Sequence, residues 1–394
     1  MKFDLSAIQA ELQRRGMDGW LFYDFRQRDP IAYEVLGLEL EPGLVTRRWY
    51  YFIPAQGIPQ KLVHRIESAR LDPLPGEKHE YASWEEQQTL LRKLLGQVKK
   101  VAMQYSALNA IPYVSLVDAG TVELVRSLGK EVVSSADLVQ LFQARWTPEQ
   151  LESHLVAARR IDDIMQRAFH YIRDRVSAQQ RLTEYDLQQW ILVQFDLHEL
   201  VTEDPPIVAV NENSANPHYQ PRPLARREIR LGDWVLLDLW AKLKQAHAVY
   251  YDITWVGYVG IELPALAQQV FGIVRQARDK AIEFVQQARR TGRAIRGFEV
   301  DNVARDVIRA AGYAGYFPHR TGHSIGEQVH STGANMDNLE THDEREVLPG
   351  TCFSIEPGIY LPEFGVRSEV NVYVEEKDAR VTGRIQNEIV RILS

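Results

Sequence analysis

After Thr147 the chain sets apolar side chains at helical spacing. Leu151, Leu155, Ala158, Ile161, Ile164, Met165, Phe169 and Ile172 return to one face every three or four residues, which predicts a helix reaching about residue 176. Thr147-Pro148-Glu149-Gln150 marks its start, with a capping threonine, proline at the first helical position and glutamine closing the box. Thr183-Glu184-Tyr185-Asp186 opens a second helix expected to end near Leu200, with Pro205-Pro206 as its stop and a strand over 207–210. A third helix is expected over 264–290, turning Leu266, Val270, Ile273, Val274, Ala277, Ile282 and Val285 inward, and a fourth over 300–311. Residues 1–145 read differently, as strands alternating with short helices. Leu5, Ile8, Leu12 and Met17 mark a first helix; strands are expected over 19–23, 49–54, 61–66 and 98–105; the capping box Ser83-Trp84-Glu85-Glu86 opens a helix through Leu95, and another spans 120–128. The boundary falls near Ala144-Arg145-Trp146. The fold class is α/β (α+β), with domains at 1–145 and 146–394. The stretches starting at Thr147 and near Pro264 share the order helix, helix, strands, so an internal pseudo-repeat is expected.

Four strand-like runs are each interrupted by one acid: Asp238 within 234–240, Asp252 within 249–256, Glu356 within 352–358 and Glu369 within 365–372. An acid facing an apolar interior is costly unless a cation or donors meet it. Asp238 and Asp252 lie fourteen residues apart, and if the polar segment between them is a hairpin loop they share one face, as does Thr254. Three histidines, His319, His323 and His330, fall within twelve residues, with Gly322 and Gly326 flanking the middle one. Imidazole with several carboxylates suits a pair of divalent ions, Mn²⁺, Co²⁺ or Zn²⁺, which would make hydroxide available for hydrolysis at neutral pH. The candidate ligands are Asp238, Asp252, His323, Glu356 and Glu369. His64, His79 and His247 read as surface residues.

Composition changes this picture little. The 394 residues are 45% hydrophobic and 25% charged, with a net charge of −7, and no basic stripe invites nucleic acid. A single cysteine excludes an intramolecular disulfide and fits a reducing cytoplasm. The charged start Met1-Lys2-Phe3-Asp4 and the lack of a long apolar run predict neither a signal peptide nor a membrane span.

The set Leu237-Asp238, Asp252-Ile253-Thr254, Gly322-His323-Ser324-Ile325-Gly326, Ile355-Glu356-Pro357-Gly358 and Arg367-Ser368-Glu369 resembles the pita-bread metallopeptidases. That family includes aminopeptidase P, prolidase, methionine aminopeptidase and the metal-free creatinase. The resemblance is close over 147–394, and looser over 1–145, which look like the creatinase-type N-terminal domain of the proline-specific branch. It implies a dinuclear site on the five ligands named, with Mn²⁺ the first choice, and Glu356 as general base while remaining a ligand. It implies that His218, in Asn216-Pro217-His218-Tyr219, contacts substrate, that His330 stabilises the oxyanion or shuttles a proton, that His319 lines the substrate pocket, and that Arg367 supports the ligands. The expected activity is that of an exopeptidase cleaving Xaa-Pro bonds in peptides or dipeptides, acting as a homodimer. The alternatives are a creatinase-like C–N hydrolase without metal and an inactive binding module, both of which predict eroded ligands. The sequence departs from the family in a longer Asp238–Asp252 interval, Trp255 where arginine is common, Ser331-Thr332 after His330, and a longer, more acidic segment over 333–345.

Overall fold

The computed structural model describes residues 3–40 and 45–394. Met1 and Lys2, part of the charged start noted above, lie outside them. The backbone divides into two compact units, Met1–Gln143 and Ala144–Ser394.

The first unit is built on one six-stranded mixed sheet. Its strands are β1 (Gly19–Phe25), β2 (Arg48–Pro54), β3 (Gln60–His64), β4 (Glu77–Tyr81), β5 (Lys100–Met103) and β6 (Glu131–Ser134), in the order β4-β3-β2-β1-β5-β6. Both faces are covered. Trp20, Phe22, Tyr51 and Ile53 join one core, and Leu21, Tyr23, Tyr50 and Phe52 the other. That is why β1 and β2 read as unbroken apolar runs rather than alternating ones. The helices are α1 (Leu5–Arg14), α2 (Pro30–Leu36), α3 (Trp84–Leu94), α4 (Ala119–Ser127) and α5 (Ala136–Val139). The Ser83–Glu86 box forms as expected. Met17 falls outside α1, which closes at Arg15. The strand expected over 98–105 is shorter, and α2, capped by Asp29 with Pro30 at its first turn and Gly37 left-handed at its end, was not anticipated.

The second unit begins with two long-range helices, α6 (Pro148–Ser177) and α7 (Glu184–Leu197), each opened by its capping box. α7 stops before Pro205-Pro206: Glu199 takes a positive φ of 52° and a short strand β7 (Leu200–Val201) follows. Then come β8 (Ile207–Val210), β9 (Trp234–Leu243) and β10 (Tyr251–Tyr258), the last two forming an antiparallel pair that β17 (Val390–Arg391) extends. Two more helices, α8 (Ala265–Thr291) and α9 (Gly297–Ala310), lead to a second sheet. That sheet is β11 (Ser324–Ile325), β12 (Cys352–Ile355), β15 (Val370–Val374) and β16 (Ala379–Thr382), with β13 (Gly358–Tyr360) and β14 (Gly365–Arg367) as a separate hairpin. Helix, helix, strands therefore occurs twice in order. Leu266, expected inward on α8, is 44% exposed, because it sits in the first turn before the helix reaches the sheet.

Candidate metal centre

The period of two along β9 and β10 sorts their side chains. Leu237, Leu239, Ala241, Ile253 and Trp255 pack with Ile161, Ile164 and Met165 of α6. Asp238, Asp252 and Thr254 therefore face the opposite way. Thr254 lies directly across from Asp238, and Asp252 across from Trp240, so all four share one face of the hairpin. Trp255, the departure from the family pattern, belongs to the other face and does not enter the site.

Glu356 and Glu369 reach the same place by another route. Neither is inside a strand, contrary to the sequence reading. Glu356 follows the end of β12, and Glu369 sits in the break between β14 and β15. Backbone bonds fix both turns: Glu356 N donates to Thr321 O at 2.7 Å and Glu369 N to Thr254 O at 3.2 Å. His323 is held just before β11, where its N–H donates to Ser354 Oγ at 2.9 Å. Gly322 permits that approach, since a Cβ there would lie 1.8 Å from the Ser354 carbonyl oxygen.

Asp238, Asp252, His323, Glu356, Glu369, His218, His319, His330 and Arg367 all line one cavity of about 780 Å³, together with Trp240, Ile207 and Val329. Asp252, His323 and Glu369 are the tightest group, with ligand atoms all within 4.8 Å of one another. His323 Nε2 lies 3.5 Å from Asp252 Oδ2 and 3.4 Å from Glu356 Oε1. Its Nδ1 lies 3.2 Å from the Ser324 carbonyl, which can only accept, so the proton sits on Nδ1 and the Nε2 lone pair points at the carboxylates. Burial holds this imidazole below its ordinary pKa, which keeps it neutral.

Arg367 is the cation that, among the described residues, is bonded to Asp238. It bonds Asp238 through Nη2, Thr254 Oγ1 through Nε at 2.9 Å and the Tyr360 hydroxyl through Nη1 at 3.0 Å. Thr254 in turn donates to Glu369 Oε2 at 2.8 Å. One guanidinium does not offset four acids. Burial raises Asp238 to about 6 and Asp252 to about 7, and lifts Glu356 and Glu369 as well, with neighbouring acids adding to the rise. Asp238 Oδ1, Asp252 Oδ1 and Glu369 Oε1 are buried without a donor. Bare oxygens and a neutral imidazole lone pair that converge are the donor set of a divalent cation, so the residues fit the metals their types imply.

The other histidines differ in how free they are. The Tyr360 hydroxyl, which receives Arg367, lies 2.7 Å from His319 Nε2, and His319 Nδ1 lies 2.7 Å from the Arg320 carbonyl. Both nitrogens of His319 are thus engaged, leaving its ring face to the cavity. His330 stands edge-on to His323 with centroids 4.3 Å apart. The adjoining His323 ring, then burial, penalises a proton on His330 and holds it down to about 2, so it too is neutral. His218 is exposed at the cavity rim. Tyr360 and Ser354 were missed from sequence; Thr254 was expected on the Asp252 face, within reach of a ligand or water. Tyr360 Oη meets His319 from 41 positions away, a contact no local pattern reveals.

The sequence model of metallopeptidase family M24 matches residues 152–376. The Xaa-Pro dipeptidase of Lactobacillus helveticus is 32% identical over 245 residues, covering 62% of this chain and 60% of that protein. The Xaa-Pro dipeptidase of Pyrococcus furiosus is 31% identical over 185 residues, 47% of this chain and 48% of that one. The match thus spans between about half and three-fifths of these curated relatives. Among solved structures, dipeptidase PepE from Mycobacterium ulcerans superposes with a TM-score of 0.70 at 22% identity, covering 100% of both chains. A dipeptidase from Pyrococcus horikoshii OT3 gives 0.63 at 26%, covering 98% of this chain and 99% of that one. The fold is the pita-bread fold, and the chain belongs to metallopeptidase family M24.

Proposed function

We propose that this protein is a metal-dependent exopeptidase that hydrolyses the Xaa-Pro bond in dipeptides or at the amino end of longer peptides. The observation that carries this reading is the convergence of three bare, buried carboxylate oxygens and a neutral His323 lone pair in one open cavity. The names of the curated relatives support the proline preference.

Asp238, Asp252, His323, Glu356 and Glu369 would hold two divalent ions, Mn²⁺ first and Co²⁺ or Zn²⁺ next, since four carboxylates make a predominantly hard donor set. When bound, such ions polarise the scissile carbonyl and lower the pKa of water. The remaining work belongs to the chain. Glu356 is the most open of the four acids, with 15% of its side chain exposed, and its Oε1 is oriented by Ser354 Oγ at 3.0 Å. It is the general base that takes the proton of the attacking water and passes it to the proline nitrogen. His330, neutral, donates an N–H to the oxygen that gains charge. Ile207, Trp240 and Val329 give the cavity an apolar side for a pyrrolidine ring, and His319 closes it with its ring face. His218 contacts substrate from the rim. Arg367 holds Asp238, Thr254 and Tyr360 in register.

The reading extends to a homodimeric cytoplasmic enzyme with peptide as its partner, neither nucleic acid nor membrane; no described helix is long and apolar enough to cross a bilayer. The test is to measure bound metal and Xaa-Pro cleavage before and after a chelator. About two ions per chain and cleavage restored by Mn²⁺ are expected. Cleavage indifferent to chelation sinks the proposal, as does a fully loaded protein inert on dipeptides and longer Xaa-Pro peptides alike.

A further inference from the structure

Glu184 occupies the first position of α7, directly after the capping Thr183, and is wholly buried. Among the described residues no cation pairs with it. Four neutral donors meet it instead. Val210 N and Asn213 Nδ2 reach Oε1 at 2.7 and 2.9 Å; the Tyr219 hydroxyl and Arg227 N reach Oε2 at 2.7 and 2.8 Å. Those donors come from one segment, 210–227, and that segment carries His218. A carboxylate is required here, because an amide would present an N–H₂ to two of the four donors.

His218 itself is loosely held. Its backbone N–H donates to Asn216 Oδ1 at 3.1 Å, and among the described residues its imidazole makes no hydrogen bond. It lines the same cavity as His319 and His330. Its position is set by the two residues that follow. Tyr219 is tied to Glu184, and Gln220 Oε1 accepts from Gln188 Nε2 at 3.0 Å, one turn further along α7. A side chain with no partner of its own can hold a catalytic distance only if its backbone is pinned.

We propose that Glu184 is a positioning residue that sets His218 at the rim of the active cavity through the Tyr219 hydroxyl. The proposal rests on the peptidase reading for its kinetic consequence, but not for its structural one. Glu184→Gln disturbs four bonds at once and risks misfolding, so the decisive variant is Tyr219→Phe, which removes a single hydroxyl. In the metal-loaded protein it should lower kcat/KM for an Xaa-Pro peptide about tenfold, chiefly through KM, with metal content unchanged. In a His218→Ala background the same change should have no further effect, because both substitutions act through one imidazole. A second measurement needs no activity: with ring-labelled histidine, the His218 NMR signals should move in Tyr219→Phe while those of His154 stay. Equal losses with and without His218 overturn the proposal, and so do unmoved His218 signals. If the wild-type protein cleaves no Xaa-Pro peptide, the functional reading fails while the NMR arm still decides the positioning role.

Discussion

Glu184, Asp301 and Asp343 are as deeply buried as Asp252 and Glu369: the first three are 0% exposed, the last two 5% and 2%. The two groups differ in what meets their oxygens. Asp301 accepts from Thr321 N and Oγ1 at 2.9 and 2.6 Å, from Asn338 N at 3.0 Å and from two nitrogens of Arg305. Asp343 accepts from Asn335 N at 2.8 Å and from Arg345 Nε and Nη2 at 2.9 and 2.6 Å. Glu184 opens α7, Asp301 lies in the second turn of α9 and Asp343 in a loop, and neighbouring segments bring free N–H groups to each. Asp238 and Asp252 project from strands whose backbone donors are spent on the ladder, and the N–H of Glu369, in the break between two strands, is spent on Thr254 O, so oxygens stay bare. Burial alone does not mark a functional carboxylate, nor does one bare oxygen, since Asp29 Oδ2 on the cap of α2 is bare as well; several bare oxygens converging on one cavity do.

The sharpest way to break this comparison is to remove one acid from each group. Asp252→Asn should cost the metal-loaded enzyme on the order of 10³-fold in activity, ~4 kcal/mol of transition-state stabilisation. The metal-free protein should be as stable as wild type or more so, because a like charge has left a crowded site. Urea unfolding of the chelated protein checks the second half; a clear loss of stability there would mean Asp252 is structurally satisfied and the contrast is false. Asp301→Ala should behave in the opposite sense. It strands Arg305, whose partner pair is 11% and 0% exposed, and should destabilise the fold by about 3 kcal/mol even without metal. An unchanged unfolding midpoint would place Asp301 outside the scaffold group.

A smaller effect tests the seam between the groups. Thr254 sits on the cavity face, yet it is fully engaged, donating to Glu369 and accepting from Arg367. Thr254→Val removes both bonds while preserving the shape of the side chain. Metal affinity should fall by roughly 10–100-fold, with less change in the unfolding of the metal-free protein. Titration calorimetry with Mn²⁺ reads it directly, and unaltered affinity would remove Thr254 from the supporting set.

What was legible in the sequence follows the same divide between local and distant. Helix starts announced themselves because capping is local: Ser83 and Thr147 each form the box their spacing implied, and Thr183 caps the helix it was expected to open. The common face of Asp238, Thr254 and Asp252 was legible from the period of two plus a hairpin. The breaks that place Glu356 and Glu369 were read through, because apolar strand residues resume almost at once, at Ile359 after Pro357-Gly358 and at Val370 after Arg367-Ser368-Glu369. Tyr360 and Ser354 stayed hidden because what they orient is assembled by the sheet. The donors around Glu184 and Asp301 were equally invisible, and without them every buried acid looked alike.

The buried imidazoles repeat the contrast and give its mildest test. His323 leaves Nε2 bare toward the acids, whereas His154 on α6 has both nitrogens partnered, with Tyr250 O and Thr382 Oγ1 each at 2.6 Å. The Tyr250 carbonyl only accepts, so Nδ1 carries the proton and Nε2 accepts from the threonine hydroxyl. Burial depresses this histidine from 6.5 to about 4. A folded pKa below the unfolded one means the unfolded chain binds the proton first. The stabilisation is therefore whole above pH 6.5 and is lost as pH falls toward 4. Between about pH 7 and pH 5.5 the loss from this residue should be about 1 kcal/mol. The cavity acids, raised by burial, titrate with the opposite sign, so the wild-type slope alone does not isolate it. His154→Gln removes this titration and leaves the acids in place. Its unfolding free energy in chelator should fall less than that of wild type over the same interval, and parallel pH profiles for the two proteins would show that His154 is not the buried, neutral member of the pair.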